Sequence, residues 1–331
     1  MRALRLLLIA LLLLVSGCGG KKDEGAKTAE KKPSFDDAFA LLPGNAILLG
    51  TVDARAFFGS QTFGAQLAQT VERFVPIGQE AGFVAARDVD RVTFASYSYQ
   101  GLDIAAVVVG RFDEAKIKQA ASSGAATRAG LPLVVSQYAG RDLYTVSNTG
   151  FTVLSDRVAV AGTESGIRRV LDRVKDGRVK RDVPAWMLST VETQGASAAV
   201  AAALATQPIP PDVMRQVPLG FVQNMKAVRA LVTFKEPGVQ ISGSMTYPDE
   251  AQAKSAEGGV REAMNLSRWL ALIGVKIQNP TVSVQKTDVQ VTLAADDQSL
   301  RQLIAAAQQF VPPSGGSAPA RPAPSTGPDK K

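Results

Sequence analysis

The chain has 331 residues, 37 basic against 30 acidic, a formal charge of +7, one cysteine and no histidine. That inventory excludes Ser-His-Asp and Cys-His nucleophile systems, thiolate or imidazole metal sites and any disulfide within the chain, leaving Ser-Lys, carboxylate or phosphate-cradle chemistry. The basicity is not that of a nucleic-acid binder, because residues 35–311 hold 27 basic and 26 acidic side chains and the excess lies in the two ends.

Residues 1–17 have the three parts of an export signal: Arg2 and Arg5, an unbroken apolar run from Leu6 to Val15, and the small residues Ser16 and Gly17. As a helix the run would rise about 15 Å, half of a bilayer core, so a permanent span is disfavoured. The four residues Val15-Ser16-Gly17-Cys18 resemble the lipobox of bacterial lipoproteins. The resemblance implies cleavage between Gly17 and Cys18, a diacylglyceryl group on the Cys18 thiol and an acylated new amino terminus. Two or three acyl chains anchor stably, each buried methylene contributing about 0.8 kcal/mol. Gly19 stands where an Asp would retain such a protein in the inner membrane. This implies the outer membrane, facing the periplasm, with the inner membrane or the cell surface as alternatives. No cofactor beyond the covalent lipid on Cys18 is expected.

Residues 18–34 follow as a charged, Gly-containing tether, and 312–331 are a Pro/Ser/Gly/Ala-rich tail too poor in apolar residues to bury a core. Between them the pattern predicts a strand over Ala46–Val52, a helical region within Phe63–Phe83, and two strands over 90–97 and from 103. The short turn at Tyr99–Leu102 requires those two to be antiparallel. A helix near Glu114–Ala121, strands at 133–138, 141–147 and 151–161, and a helix at 164–175 complete the first half. The opening "LLPGNAILLGTVDARAFF" (41–58) is similar to that of several groups of exported bacterial lipoproteins, a likeness that implies no activity.

Internal similarity then divides the body. Val158, Val160, Ile167, Val170, Leu171 and Val174 recur 133 positions later as Val291, Leu293, Leu300, Leu303, Ile304 and Ala307. Thr163 and Asp296, both good N-caps, fall at the same offset. Upstream, two strands lead into Asp-Glu-Ala and a helix at both 113–115 and 249–251. The expected architecture is α+β, an internal duplication over 35–182 and 183–311, each half a mainly antiparallel sheet with helices on one face.

Motifs for chemistry are few. Ser283-Val284-Gln285-Lys286 has Ser-x-x-Lys spacing, but it lies in an alternating strand pattern that sends residues three apart to opposite faces. Of the carboxylate pairs Asp36/Asp37, Asp88/Asp90, Asp249/Glu250 and Asp296/Asp297, three immediately precede helical stretches, where acids cap orphan N–H groups. Asp88-Val-Asp90 lacks the rest of a calcium loop, and neither GxGxxG nor a Walker pattern occurs. Trp186 and Trp269 read as core or inter-half contacts.

One basic segment stands apart: Arg168, Arg169, Arg173, Lys175, Arg178, Lys180 and Arg181, diluted by Asp172, Asp176 and Asp182. It reads as the wet face of the 164–175 helix and its connector, or as a contact for anionic headgroups beside the anchor. Three functions fit these observations. The first is a non-enzymatic, lipid-anchored binding or structural module of the cell envelope, with the membrane and an envelope protein as partners and no nucleic acid. The others are a carrier or sensor of an apolar ligand and a carboxylate-dependent hydrolase of envelope polymers.

Overall fold

A computed structural model describes residues 35–302 apart from 62, 73–74, 76–77, 100–102, 124–131, 215–219, 236–237 and 267–275. The signal, Gly17, Cys18, the tether, Trp269, Ile304 and the tail lie outside the described residues.

Asp37 accepts from the amides of Phe39 and Ala40 and so starts α1 (Ala38–Leu41), which leads into β1 (Leu48–Asp53). The short helices α2 (Ala54–Phe58), α3 (Gly64–Glu72) and α4 (Ala85–Asp88) carry the chain to β2 (Val89–Ser96), which returns as β3 (Ile104–Gly110). After α5 (Glu114–Ser122), four strands meander back: β4 (Val134–Tyr138), β5 (Arg141–Val146), β6 (Thr149–Ser155) and β7 (Val158–Thr163). The region expected as one strand over 151–161 is two, because Asp156 and Arg157 form a turn between β6 and β7. Helix α6 (Glu164–Lys175) closes the first half. The second runs α7 (Ala185–Val191), β8 (Ala198–Ala203), α8 (Pro211–Met214), β9 (Ala227–Lys235), β10 (Gly238–Thr246), α9 (Glu250–Leu266), β11 (Ile277–Gln285), β12 (Asp288–Asp296) and a helical stretch at 297–302. Where the repeat leads one to expect a long helix between β8 and β9, the described residues hold only α8 and one 3-10 turn.

The twelve strands form one antiparallel sheet in the order β11-β12-β10-β9-β8-β1-β2-β3-β7-β6-β5-β4. The halves therefore share a sheet instead of building one each. Their joint is β1 against β8, in register from Leu48↔Ala202 to Val52↔Ala198. Outward from that joint the order is β1-β2-β3-β7-β6 on one side and β8-β9-β10-β12-β11 on the other, with β5 and β4 added to the first half. Strand β8 is five alanines and a valine, a composition that favours helix. Its position between two strands overrides the propensity, and its small side chains let Met187 and Val191 of α7 pack against Ala199 and Ala201.

The first face of the sheet carries Leu49, Ala95, Val107, Val160 and Ala201, covered by α1, α6 and α7. In α6 the stripe Ile167, Val170, Leu171 is at most 1% exposed. Each such side chain contributes about 1.5–3 kcal/mol on burial. The second face is covered by α2, α3 and α4 through Ala54 and Ala85, by α5 through Ile117 against Tyr144 and Val153, and by α9 through Ala253, Ala256 and Val260 against Met245, Val289 and Val291. The first half is thus covered on both faces, not one. The second is covered on the second face; on its first face α7 lies over β8 and β9, and beyond them Ser242, Ser283, Gln290 and Thr292 lie on strands that no described helix covers on that side.

The register also corrects the 133-residue correspondence. Across the first half the partners run Thr51–Thr93–Val107–Val160, and across the second Ala201–Arg229–Ser244–Gln290. Val160 is thereby matched with Gln290, not Leu293. From those matched positions β12 runs three residues further than β7 before its cap, and in a strand an odd shift exchanges the faces. Ile167 accordingly packs on the first face, whereas Leu300 packs on the second against Val239, Ile241, Leu293 and Ala295.

Candidate functional site

The arginines of the basic segment are ion-paired within the chain, and Arg168, Arg178 and Arg181 keep 43–54% of their side chains exposed. On α6, Arg168 pairs with Glu164 and lies 4.6 Å from the Tyr138 ring centroid, and Arg169 pairs with Asp103 while stacking 4.2 Å over Tyr97. Arg173, read as part of a wet face, is 5% exposed and donates to the carbonyls of Lys180 (2.8 Å) and Ala40 (3.4 Å). It sits at the border of the apolar stripe, one turn from Val170, so packing takes its stem while its guanidinium closes the α6 connector. Arg178 pairs with Asp176 at 2.8 Å, and Arg181 bridges Asp37 (2.7 Å) and Glu192 (2.8 Å). Lys180 is exposed. The three capping acids behave as expected: Asp37, Asp249 and Asp296 accept from the amides of Phe39, Gln252 and Ser299 at 3.1, 2.8 and 2.8 Å. Ser283 lies in β11 and Lys286 in the following turn at φ +54°.

A different cluster, spread over 70 positions of sequence, forms a cleft at one end of the sheet. There β3 ends against α4 so tightly that a Cβ at Gly110 would come within 2.2 Å of the Asp88 carbonyl oxygen. This approach places Arg111 beside Arg87 and Asp88. The Asp88 carboxylate takes Arg87 Nε (2.9 Å) and Nη2 (2.6 Å), Arg111 Nε (3.4 Å) and the Val84 amide (2.9 Å). The Arg87 hydrogen bonds hold its pKa below the usual carboxylate range, with Val84 and Arg111 adding to the shift and burial opposing it. Beside it burial pushes Asp90 up, but Arg55 and Arg157 draw it below its ordinary value on balance.

The cleft encloses about 620 Å³ and is walled by Gly82, Phe83, Phe112 and Ile117, with Arg87, Arg111, Lys116 and Arg157 facing Asp88, Asp113 and Asp156. Phe83 and Phe112 stack with centroids 5.7 Å apart and planes 17° from parallel. Asp113 caps α5 through the Lys116 amide at 3.1 Å, and Lys116 Nζ lies 3.0 Å from the same carboxylate. The four cations are 48–62% exposed, so they remain within reach of an occupant. Of these residues the sequence singled out Asp88, in a carboxylate pair, and Asp113, at the head of the repeated Asp-Glu-Ala. The Arg/Asp neighbour pairs Arg87-Asp88 and Asp156-Arg157, each just before a strand, are a signal that could have pointed to Arg87, Asp156 and Arg157.

Among the described residues no group of three or more Asp, Glu or Cys is placed to hold a metal ion, and no helix is long and apolar enough to cross a membrane. No family model matches the chain, and no curated protein matches it. Among solved structures, crystal form III of TP0453 aligns with 82% of this chain and 98% of its own at 10% identity and a TM-score of 0.50. Crystal form I of the same protein covers 85% and 99% at 12% identity and a TM-score of 0.49. At that identity the likeness is one of fold alone.

Proposed function

We propose that this chain is a lipid-anchored protein of a bacterial cell envelope, held at the outer membrane and facing the periplasm, whose folded body works by binding and not by catalysis. Cys18, exposed as the amino terminus by cleavage after Gly17, carries the lipid. The observation that favours binding is the state of the carboxylates. Every described carboxyl group whose pKa moves, namely Asp88, Asp90, Asp113, Asp249, Glu250 and Asp296, moves downward through hydrogen bonds or ion pairs. A general acid for hydrolysis needs the opposite shift. The cleft offers an occupant three guanidinium groups and an ammonium beside two stacked rings, which suits a molecule with an anionic group on an apolar body.

Metabolic labelling and native mass spectrometry test this reading. Cys18→Ser should leave the precursor unprocessed and abolish labelling by a fatty-acid analogue; normal labelling overturns the anchor. The detergent-solubilised lipoprotein should retain an anionic small molecule or an envelope protein, and Arg111→Ala should lower the occupancy of a small molecule held in the cleft. Hydrolysis of envelope polymer by the purified protein, lost in Asp156→Asn, would overturn binding in favour of catalysis.

We also infer that residues 35–182 and 183–311 arose by duplication. The matched strand orders around the β1/β8 joint and the matched caps Asp113 and Asp249, each three residues before the amide it accepts, support it. The helices after β7 and β12 do not belong to the shared plan, since they lie on opposite faces.

A further inference from the structure

The sheet ends in two edge strands that are finished differently. On β11, Pro280 supplies no N–H, Asn279 sits at φ +46°, and the register slips between Gln278 and Thr281, so the outer row of backbone groups is broken in mid-strand. These are devices that keep an edge from pairing. On β4 none of them occurs. Its residues Val134-Val135-Ser136-Gln137-Tyr138 hold no proline and no charge, and they pair with β5 in unbroken register from Val134↔Thr145 to Tyr138↔Arg141. Val134 and Val135 are 54% and 48% exposed, the two large apolar side chains left open among the described residues. Among the described residues no strand pairs with the other side of β4, and an uncharged, uninterrupted edge strand with apolar side chains on both faces is a template for another strand.

We propose that β4 is a self-association edge: a second copy of this chain adds its own β4 antiparallel, about a two-fold axis at Ser136, and joins two sheets into one. The five residues are complementary to themselves in that arrangement. Val134 and Ser136 lie on the first face and Val135 and Gln137 on the second, as their β5 partners Thr145, Leu143, Tyr144 and Asp142 fix. The two-fold then sets Val134 against Tyr138 on the first face and Val135 against Gln137 on the second, covering both valines without burying a charge. Five pairs in register is also the length of the β1/β8 joint by which the chain already unites its halves. β11 is interrupted at Asn279-Pro280 and lacks exposed large apolar side chains, whereas β4 is uninterrupted over its whole length and carries two, and an isologous contact on β4 alone stops at a dimer.

Residues directly opposite in an antiparallel pair have Cα atoms about 4.5–5.5 Å apart, inside the span of about 4.4–6.8 Å that a disulfide bridges. In membranes carrying the full lipidated chain, Ser136→Cys should therefore give a disulfide-linked species of twice the chain mass on mild oxidation. Its yield should exceed by at least about tenfold that of the wild type and of Ser283→Cys, which is exposed on the opposite edge. Adding Val135→Lys to Ser136→Cys should abolish the product, and sedimentation of the detergent-solubilised protein should show dimer for the wild type and monomer for Val135→Lys. Equal cross-linking at both edges, or a wild type that sediments as monomer at every concentration, would refute self-association. An adduct of some other mass would assign the edge to a different protein and overturn the second copy as its occupant.

Discussion

The two halves of the sheet share a strand order and differ in what their first face carries. At matched positions Ala105 and Val107 of β3 correspond to Ser242 and Ser244 of β10, and Val160 of β7 to Gln290 of β12. Over the apolar set lie α6 and α7; in the polar set Ser244 is buried beside Arg229, which stacks on Trp186 of α7, while Ser242 and Gln290 are half-buried beyond the reach of that helix. The same backbone plan is thus completed as three layers across the first half and over β8 and β9, and as two at β10, β12 and β11, according to which side chains point to that face. The choice is made by alternate residues in the strands, because a sheet face without apolar side chains gives a helix nothing to bury.

That contrast can be broken most severely at Leu171, which is 1% exposed beneath α6. Leu171→Asp places a carboxylate among apolar side chains, and chemical denaturation should register a loss of several kcal/mol, enough to threaten a domain stable by about 5–15 kcal/mol. An unchanged unfolding midpoint would mean that α6 does not cover the sheet. A reciprocal pair sharpens the comparison further. Ala105→Ser puts a hydroxyl at a position that is 0% exposed and should cost about 1–3 kcal/mol, whereas Ser242→Ala on the uncovered face should stay within about 0.5 kcal/mol of the parent. Equal costs would show that both faces are dry.

The helix caps supply a case in which the halves should behave alike. The Lys116 and Gln252 amides hold the Asp113 and Asp249 carboxylates below their ordinary pKa. A lowered folded pKa stabilises fully above the unfolded value near 4 and loses that contribution as pH falls through the folded value. Acid titration of thermal stability should therefore flatten by similar amounts in Asp113→Asn and Asp249→Asn; an effect confined to one would mean that the caps are not equivalent. The smallest effect is expected at Arg168, whose pair with Glu164 is 43% exposed on the arginine side. Arg168→Ala should shift stability by less than about 0.5 kcal/mol, measured in the same denaturation series as Leu171→Asp.

Local regularities were legible in the sequence. Alternation located β2, β3 and β7, the stripe from Ile167 to Leu171 located α6, and the acids before α1, α9 and the 297–302 stretch were capping acids. What escaped depends on distant partners. Alanines form the centre of the sheet at β8 because β1 and β9 flank it, and nothing within "AAVAAA" states that. The match of Ile167 with Leu300 failed because periodicity reveals a face but not which face of a shared sheet. The cleft was hidden for the same reason: Arg87, Arg111, Lys116 and Arg157 are scattered along the sequence, and nothing around them states that Gly110 brings β3 against α4.

The central joint also bears on the order of folding. Hairpins such as β2/β3 and β9/β10 close over a few residues, whereas β1 must find β8 across almost the whole first half of the body, Val52 meeting Ala198. Loop-closure entropy rises with the logarithm of the intervening length, and non-local strand pairing slows folding. Each half should therefore collect its own hairpins first and the seam should close last, as a distinct slow phase in stopped-flow refolding. Val200→Pro, which removes an amide from the middle of β8, should suppress that phase while the fast one persists, and a single exponential in the parent protein would show that the seam forms together with the rest.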